Sequence, residues 1–274
     1  MTYKTLMAHL DVGRPNPEVL RVAGDLAARL GAQLIGIAAC QPMLIVYGDG
    51  FSSGPALLDC QDALKAELHK AEAEFRETLK NSKATLEWRS EYTTEALSYY
   101  LASEVRSADL LITSVRAHNA IDSSRHVNVG DLVMQAGRPV LVVPHTGAKV
   151  PFERIVVAWK DTREARAAAR DALPLLALAK HVTILEVAHS SELSSAQGRV
   201  EDVARWLERH EITAIPLAIS SSGADAAQID ALLSEHDADL VVAGAYGHNR
   251  LREWVFGGVT HNLMNGSRCA LLSH

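Results

Sequence analysis

Residues 239–260 read DLVVAGAYGHNRLREWVFGGVT. Leu240 to Ala243 form an aliphatic run, which predicts a fully buried strand. Gly244 and Gly247 follow, then nine residues, then Gly257, Gly258, Val259 and Thr260. A strand that empties into glycines and then a helix start offers bare backbone N–H groups and the positive end of a helix. That combination suits phosphate. The bland alternative is that these glycines only make turns, which they also do well.

The same strand recurs earlier. Residues 109–118 read DLLITSVRAH and align with 239–248 at an offset of 130, but the glycines are absent. Tyr3–Asp11 aligns with Phe152–Lys160 at 149, and Pro139–Val143 with Ala270–His274 at 131. The chain therefore reads as a duplication. The offset falls from 149 to 130, so the first copy holds 19 extra residues before its fourth strand. The 41–54 segment, rich in Gly, Ser and Pro, is the natural place for them. It is either a lid over a ligand or a tolerated insertion.

Outward from these anchors, short strand-like runs alternate with helical patterns. In the first copy the strands are Thr5–Leu10, Gln33–Ala39, Thr85–Ser90, Asp109–Ser114 and Pro139–Val143. The helices are Pro17–Leu30, Leu57–Lys80, Thr94–Glu104 and Gly130–Ala136. Pro144 to Pro151 is a linker. In the second copy the strands are Arg154–Ala158, Val182–Ala188, Thr213–Ile219, Asp239–Ala243 and Ala270–Ser273. A helix capped by Asp161 or Thr162 runs to about Ala177, with Glu164 placed as in a capping box. Helices Glu192–His210, Ala224–His236 and Thr260–Asn265 complete the cycle. The alternation predicts an α/β fold of two tandem, doubly wound, Rossmann-like domains, residues 1–145 and 151–274. Each is expected to carry a five-stranded parallel sheet in the order 3-2-1-4-5.

The 274 residues are 48% hydrophobic, enough for two cores. Aromatics are only 5% and net charge is −6, which argues against nucleic acid as a partner. No apolar run reaches membrane length, no signal-peptide pattern opens the chain, and three cysteines show no metal spacing. A cytoplasmic protein with no membrane partner is the expectation. The 12 histidines include the equivalent pair His118 and His248, but no helical i,i+4 pair marks a metal site. Tyr246 and Trp254 border the glycine segment and read as packing more than stacking. No P-loop, zinc-protease or nucleophile-elbow motif is present, so no catalytic residue is assigned.

On these residues the chain resembles the universal stress proteins in tandem form. Nucleotide-binding members carry Gly-x2-Gly-x9-Gly-(Ser/Thr), matched here by Gly244, Gly247 and Gly257, with Gly258 in place of the hydroxyl residue. AGRPVLVVP, ending at Pro144, and LREWVFGGVT, ending at Thr260, resemble the family as well. The resemblance implies an adenine-nucleotide-hydrolase-like fold and an adenine nucleotide, ATP or AMP, in the second copy, with Mg²⁺ accompanying ATP. It implies Gly244, Gly247, His248, Gly257, Gly258, Val259 and Thr260 as contacts, and Val187 where backbone groups meet the base.

Two departures stand out. The acid that contacts adenosine in ATP-binding members is Asp11 in the first copy, which lacks the glycines, and Lys160 in the second, which has them. Lys160 either attracts phosphate or is an ordinary solvated lysine. The loss of one hydroxyl at Gly258 removes a bond worth about 1.5–3 kcal/mol. The expected function is a stress-response sensor or regulator, at most a slow ATPase. The copies are expected to pair as a pseudo-dimer through Pro139–Val143 and Ala270–Ser273, with a homodimer as a further form. The alternative is an interaction scaffold, or a binder of another small ligand under the 41–54 loop.

Overall fold

The computed structural model describes residues 2–42, 54–115, 123–223, 225–245 and 268–274. The first half contains β1 (Thr5–His9), α1 (Pro17–Leu30), β2 (Gln33–Cys40), α2 (Gly54–Thr78), β3 (Leu86–Tyr92), α3 (Leu97–Glu104), β4 (Leu110–Ser114), α4 (Val129–Ala136) and β5 (Val140–Val143). The second contains β6 (Arg154–Ala158), α5 (Arg163–Asp171), α6 (Leu173–Leu176), β7 (His181–Ala188), α7 (Leu193–Glu208), β8 (Ala214–Ser220), α8 (Asp225–Glu235), β9 (Leu240–Gly244) and β10 (Cys269–Ser273). The fold is α/β and doubly wound.

The strand order is β3-β2-β1-β4-β5-β10-β9-β6-β7-β8. Each half keeps the 3-2-1-4-5 order with parallel neighbours. The two five-stranded sheets meet along their last strands. β5 and β10 pair antiparallel, Val142 with Ala270, Leu141 with Leu271 and Val140 with Leu272, so the sheet is a single ten-stranded one. Both strands are buried along their length and, Ser273 apart, apolar, and such edges gain from pairing.

Alternation along the strands builds two cores, one on each face. Leu6, Ala8, Leu141 and Leu271 face one with Phe75 and Phe152, while Met7, Val140, Val142 and Leu272 face the other with Leu132 and Leu233. α1 shows why its stretch is a helix. Pro17 opens it, Glu18 and Arg29 match its dipole, Val19, Leu20, Ala23, Leu26 and Ala27 turn inward, and Gly31 ends it at φ 61°.

Asp109 and Asp239 reveal a repeated device. Asp109 Oδ2 accepts from the N–H groups of Lys4 (2.7 Å) and Thr5 (3.0 Å). Asp239 accepts from those of Glu153 (2.8 Å) and Arg154 (3.1 Å). Each acid tethers the start of the neighbouring first strand.

The helix expected up to Ala177 is broken in two. Pro174 brings no N–H to continue the ladder, and α5 stops at Asp171 before the short α6. Thr162 is the cap, accepting from Ala165 N–H at 3.3 Å. The expected capping box does not form. Glu164 sits one position too early and accepts from Arg163 (2.6 Å), while Thr162 N–H donates to Lys160 O (2.7 Å).

Candidate functional site

In each half the chain leaves the sheet in opposite directions from its first and fourth strands, and the crevice of an open α/β sheet lies between their C-terminal ends. In the second half these are β6 and β9, with β7 beside β6. Trp159 N–H donates to Leu185 O at 2.7 Å. A residue of a parallel strand turns both backbone groups to one side, and the side alternates. Leu185 faces β6, so Val187 turns its N–H and C=O the same way, beyond the end of β6. Ala188, one residue on, faces β8 and accepts from Ser221 N–H at 2.7 Å.

A cavity of about 200 Å³ opens there, lined by Lys160, Thr162, Glu186, Val187, His189 and Arg199 among others. Two expected contacts, Lys160 and Val187, thus meet in one place. The cavity's ion pair was not foreseen. Glu186 is buried, and Arg199 of α7 donates to it from Nε at 3.2 Å and Nη2 at 2.5 Å. The signal was a lone acid inside the aliphatic strand TILEVA, since a buried carboxylate demands a partner. Asp161, at the rim, is held by Arg166 at 2.5 Å.

Gly244 ends β9 and is buried. A Cβ there would lie 2.4 Å from Ala165 N and 2.5 Å from Glu164 C, so this glycine lets the strand end lie against the start of α5. Close packing thus gives Gly244 a reason to be glycine independent of any ligand. Gly247, His248, Gly257, Gly258, Val259 and Thr260 lie outside the described residues.

The corresponding place in the first half holds side chains. Asp11 is buried at the end of β1 and ion-pairs with Arg14. Arg14 also donates to Ser114 Oγ (2.8 Å) and His145 Nε2 (2.7 Å), and Ser114 Oγ donates to Asp11 at 3.2 Å. His126 Nδ1 stands 3.9 Å from Asp11. Burial pushes the Asp11 carboxyl up, but His126, His9 and Arg14 together hold it well below the usual carboxylate range. Beneath it, His9 Nδ1 meets Thr113 Oγ1 at 2.9 Å, and burial pushes the His9 imidazole down. Among the described residues no three His, Cys, Asp or Glu side chains converge as a metal site, and no helix is long and apolar enough to cross a membrane.

Residues 151–272 match the family model "Universal stress protein family". The second half of the chain carries a universal stress protein domain. No curated protein matches the chain by sequence. Among solved structures, a universal stress protein from Archaeoglobus fulgidus DSM 4304 is similar over 98% of this chain and 95% of its own, at a TM-score of 0.76 and 12% identity. A functionally unknown protein from Pseudomonas aeruginosa PAO1 is similar over 99% and 92%, at 0.58 and 14%. A putative universal stress protein from Pseudomonas aeruginosa UCBPP-PA14 covers 99% and 93%, also at 0.58 and 14%. At these identities the likeness is one of fold, and it extends over both halves. The universal stress protein domain thus spans the second-half crevice, with Lys160, Val187 and Gly244 all inside the matched residues.

Proposed function

We propose that the second half binds an adenine nucleotide, AMP or ATP, in the crevice at the ends of β6, β7 and β9. The observation that carries this is Val187, whose N–H and C=O face the same way past the end of β6, beside the cavity. That pair matches the acceptor N1 and donor N6 on the edge of adenine. The ribose then lies over the end of β6, and the phosphates reach the glycine segment of 244–260. Mg²⁺ would accompany ATP. The chain is proposed to be two domains, 1–145 and 151–274, in a pseudo-dimer built on β5 and β10, acting as a cytoplasmic stress-response sensor or regulator. In the first half Arg14 already occupies Asp11, so that crevice is assigned no nucleotide.

The test is mass spectrometry of small molecules released from the purified protein, followed by calorimetric titration with AMP and ATP. Bound adenine nucleotide is expected, and Gly257→Val should abolish it. A protein that releases none and shows neither heat nor a melting shift at millimolar AMP or ATP overturns the reading. A cavity of about 450 Å³, lined by Gly13, Arg14, Pro15, Glu67, Lys70, Ala71 and Glu74, favours a second reading, a different small ligand in the first half. The same spectra would reveal it. Residues 43–53 of the 41–54 loop, the expected cover for such a ligand, lie outside the described residues.

A further inference from the structure

We infer that Lys160 sets the second-half crevice for an adenine nucleotide phosphorylated on its ribose, at the 2′ or 3′ oxygen, over one with free ribose hydroxyls. The inference rests on the nucleotide reading above and adds a substrate class to it. Three observations carry it.

The first is position. The strand order runs β7, β6, β9. A base on the Val187 backbone and phosphates beyond β9 place the ribose at the end of β6, where Lys160 lines the cavity. The second is the internal duplicate. The aligned residue in the first half is Asp11, an acid, and the second half carries a cation at the same point after its first strand. In nucleotide crevices an acid accepts hydrogen bonds from ribose hydroxyls, whereas a cation nearby accommodates a ribose phosphate. The third is the balance of charge around the cavity. Glu186 is matched by Arg199, and Asp161 by Arg166. Lys160 lines the same cavity, and among the described residues its ammonium has no carboxylate partner. Glu192 and His189 are the remaining ionisable groups of the lining.

The test is calorimetric titration of the full chain with AMP, adenosine 3′,5′-bisphosphate and adenosine 2′,5′-bisphosphate at low and physiological salt. One bisphosphate is expected to bind about tenfold tighter than AMP, the scale of one hydrogen bond to a charged group. The preference should shrink as salt rises. The two isomers tell which oxygen carries the phosphate. Lys160→Asp should remove the preference, so that neither bisphosphate binds tighter than AMP does to the same variant. Lys160 is exposed, and an unchanged melting temperature confirms that the variant folds. AMP binding with no tighter bisphosphate, or a preference that survives Lys160→Asp, overturns this inference and leaves the nucleotide reading standing. Binding of none of the three overturns both.

Discussion

Asp11 and Lys160 occupy one position in two copies and carry opposite charge. Around Asp11 the first half has built a closed polar cluster, and its centre is set by His9. That imidazole is fully enclosed, with Asp11, Arg14 and His126 as its charged and titratable neighbours. Burial outweighs the attraction of Asp11 and keeps its folded pKa below the usual value. The unfolded chain therefore takes up a proton, near pH 6.5, that the folded chain refuses. Stability is complete above that pH and is lost as pH falls towards the folded pKa, by at most about 1.4 kcal/mol per pH unit. Asp11 acts in the same direction but lower, because its contribution is complete above about pH 3.9 and lost only beneath it. His9→Asn keeps a polar group for Thr113 and cannot titrate. Urea unfolding at pH 7, 6 and 5 should show the wild type losing more stability than the variant across that range. Equal losses would show that His9 does not titrate between the folded and unfolded states.

Elements are held together by contacts that the sequence displays only in part. The aliphatic runs 240–243 and 140–143 announce buried strands directly, because alternation and burial act on every residue in them. Asp109 and Asp239 are visible as a repeated pair, but their work depends on a neighbour over 80 residues away in the chain. Lys160 and Val187, which line one cavity, stood out in the sequence because each lies at the end of a strand, and a strand end is a local signal. The Arg199–Glu186 and Arg14–Asp11 pairs did not, since they depend on where a helix and a turn come to rest. Gly244 looked like a ligand residue, yet a close backbone approach asks for the same amino acid. Asp239→Ala tests one such element contact. It strips two backbone N–H groups of their acceptor where β6 begins, and such losses cost about 1–3 kcal/mol. Chemical denaturation should show a loss of about 2 kcal/mol, with Asp239→Asn in between because its amide oxygen still accepts. A neutral Asp239→Ala would mean that water serves the strand start equally well.

At the scale of the molecule, the antiparallel β5–β10 ladder decides how stability is shared. The core on each face runs through both halves without a break. Away from the ladder, Tyr3 OH donates to Asp171 O, Arg21 donates to Ala148 O, and Arg29 donates to Leu178 O at 3.3 Å, all from the first half to the linker or the second. Opening either half alone would strand the apolar edge of the other and unmake these bonds. The chain should therefore open as one cooperative unit. Leu141→Ala probes this where the halves meet, because Leu141 is fully buried opposite Leu271. Its removal should cost about 2–5 kcal/mol. Native-state hydrogen exchange read by mass spectrometry resolves where that cost is felt. The most protected amides of β1 and of β6, far apart in the chain but in one sheet, should lose the same opening free energy. If β1 loses protection and β6 keeps it, the halves open independently, and the shared sheet is a docking contact between two self-sufficient units.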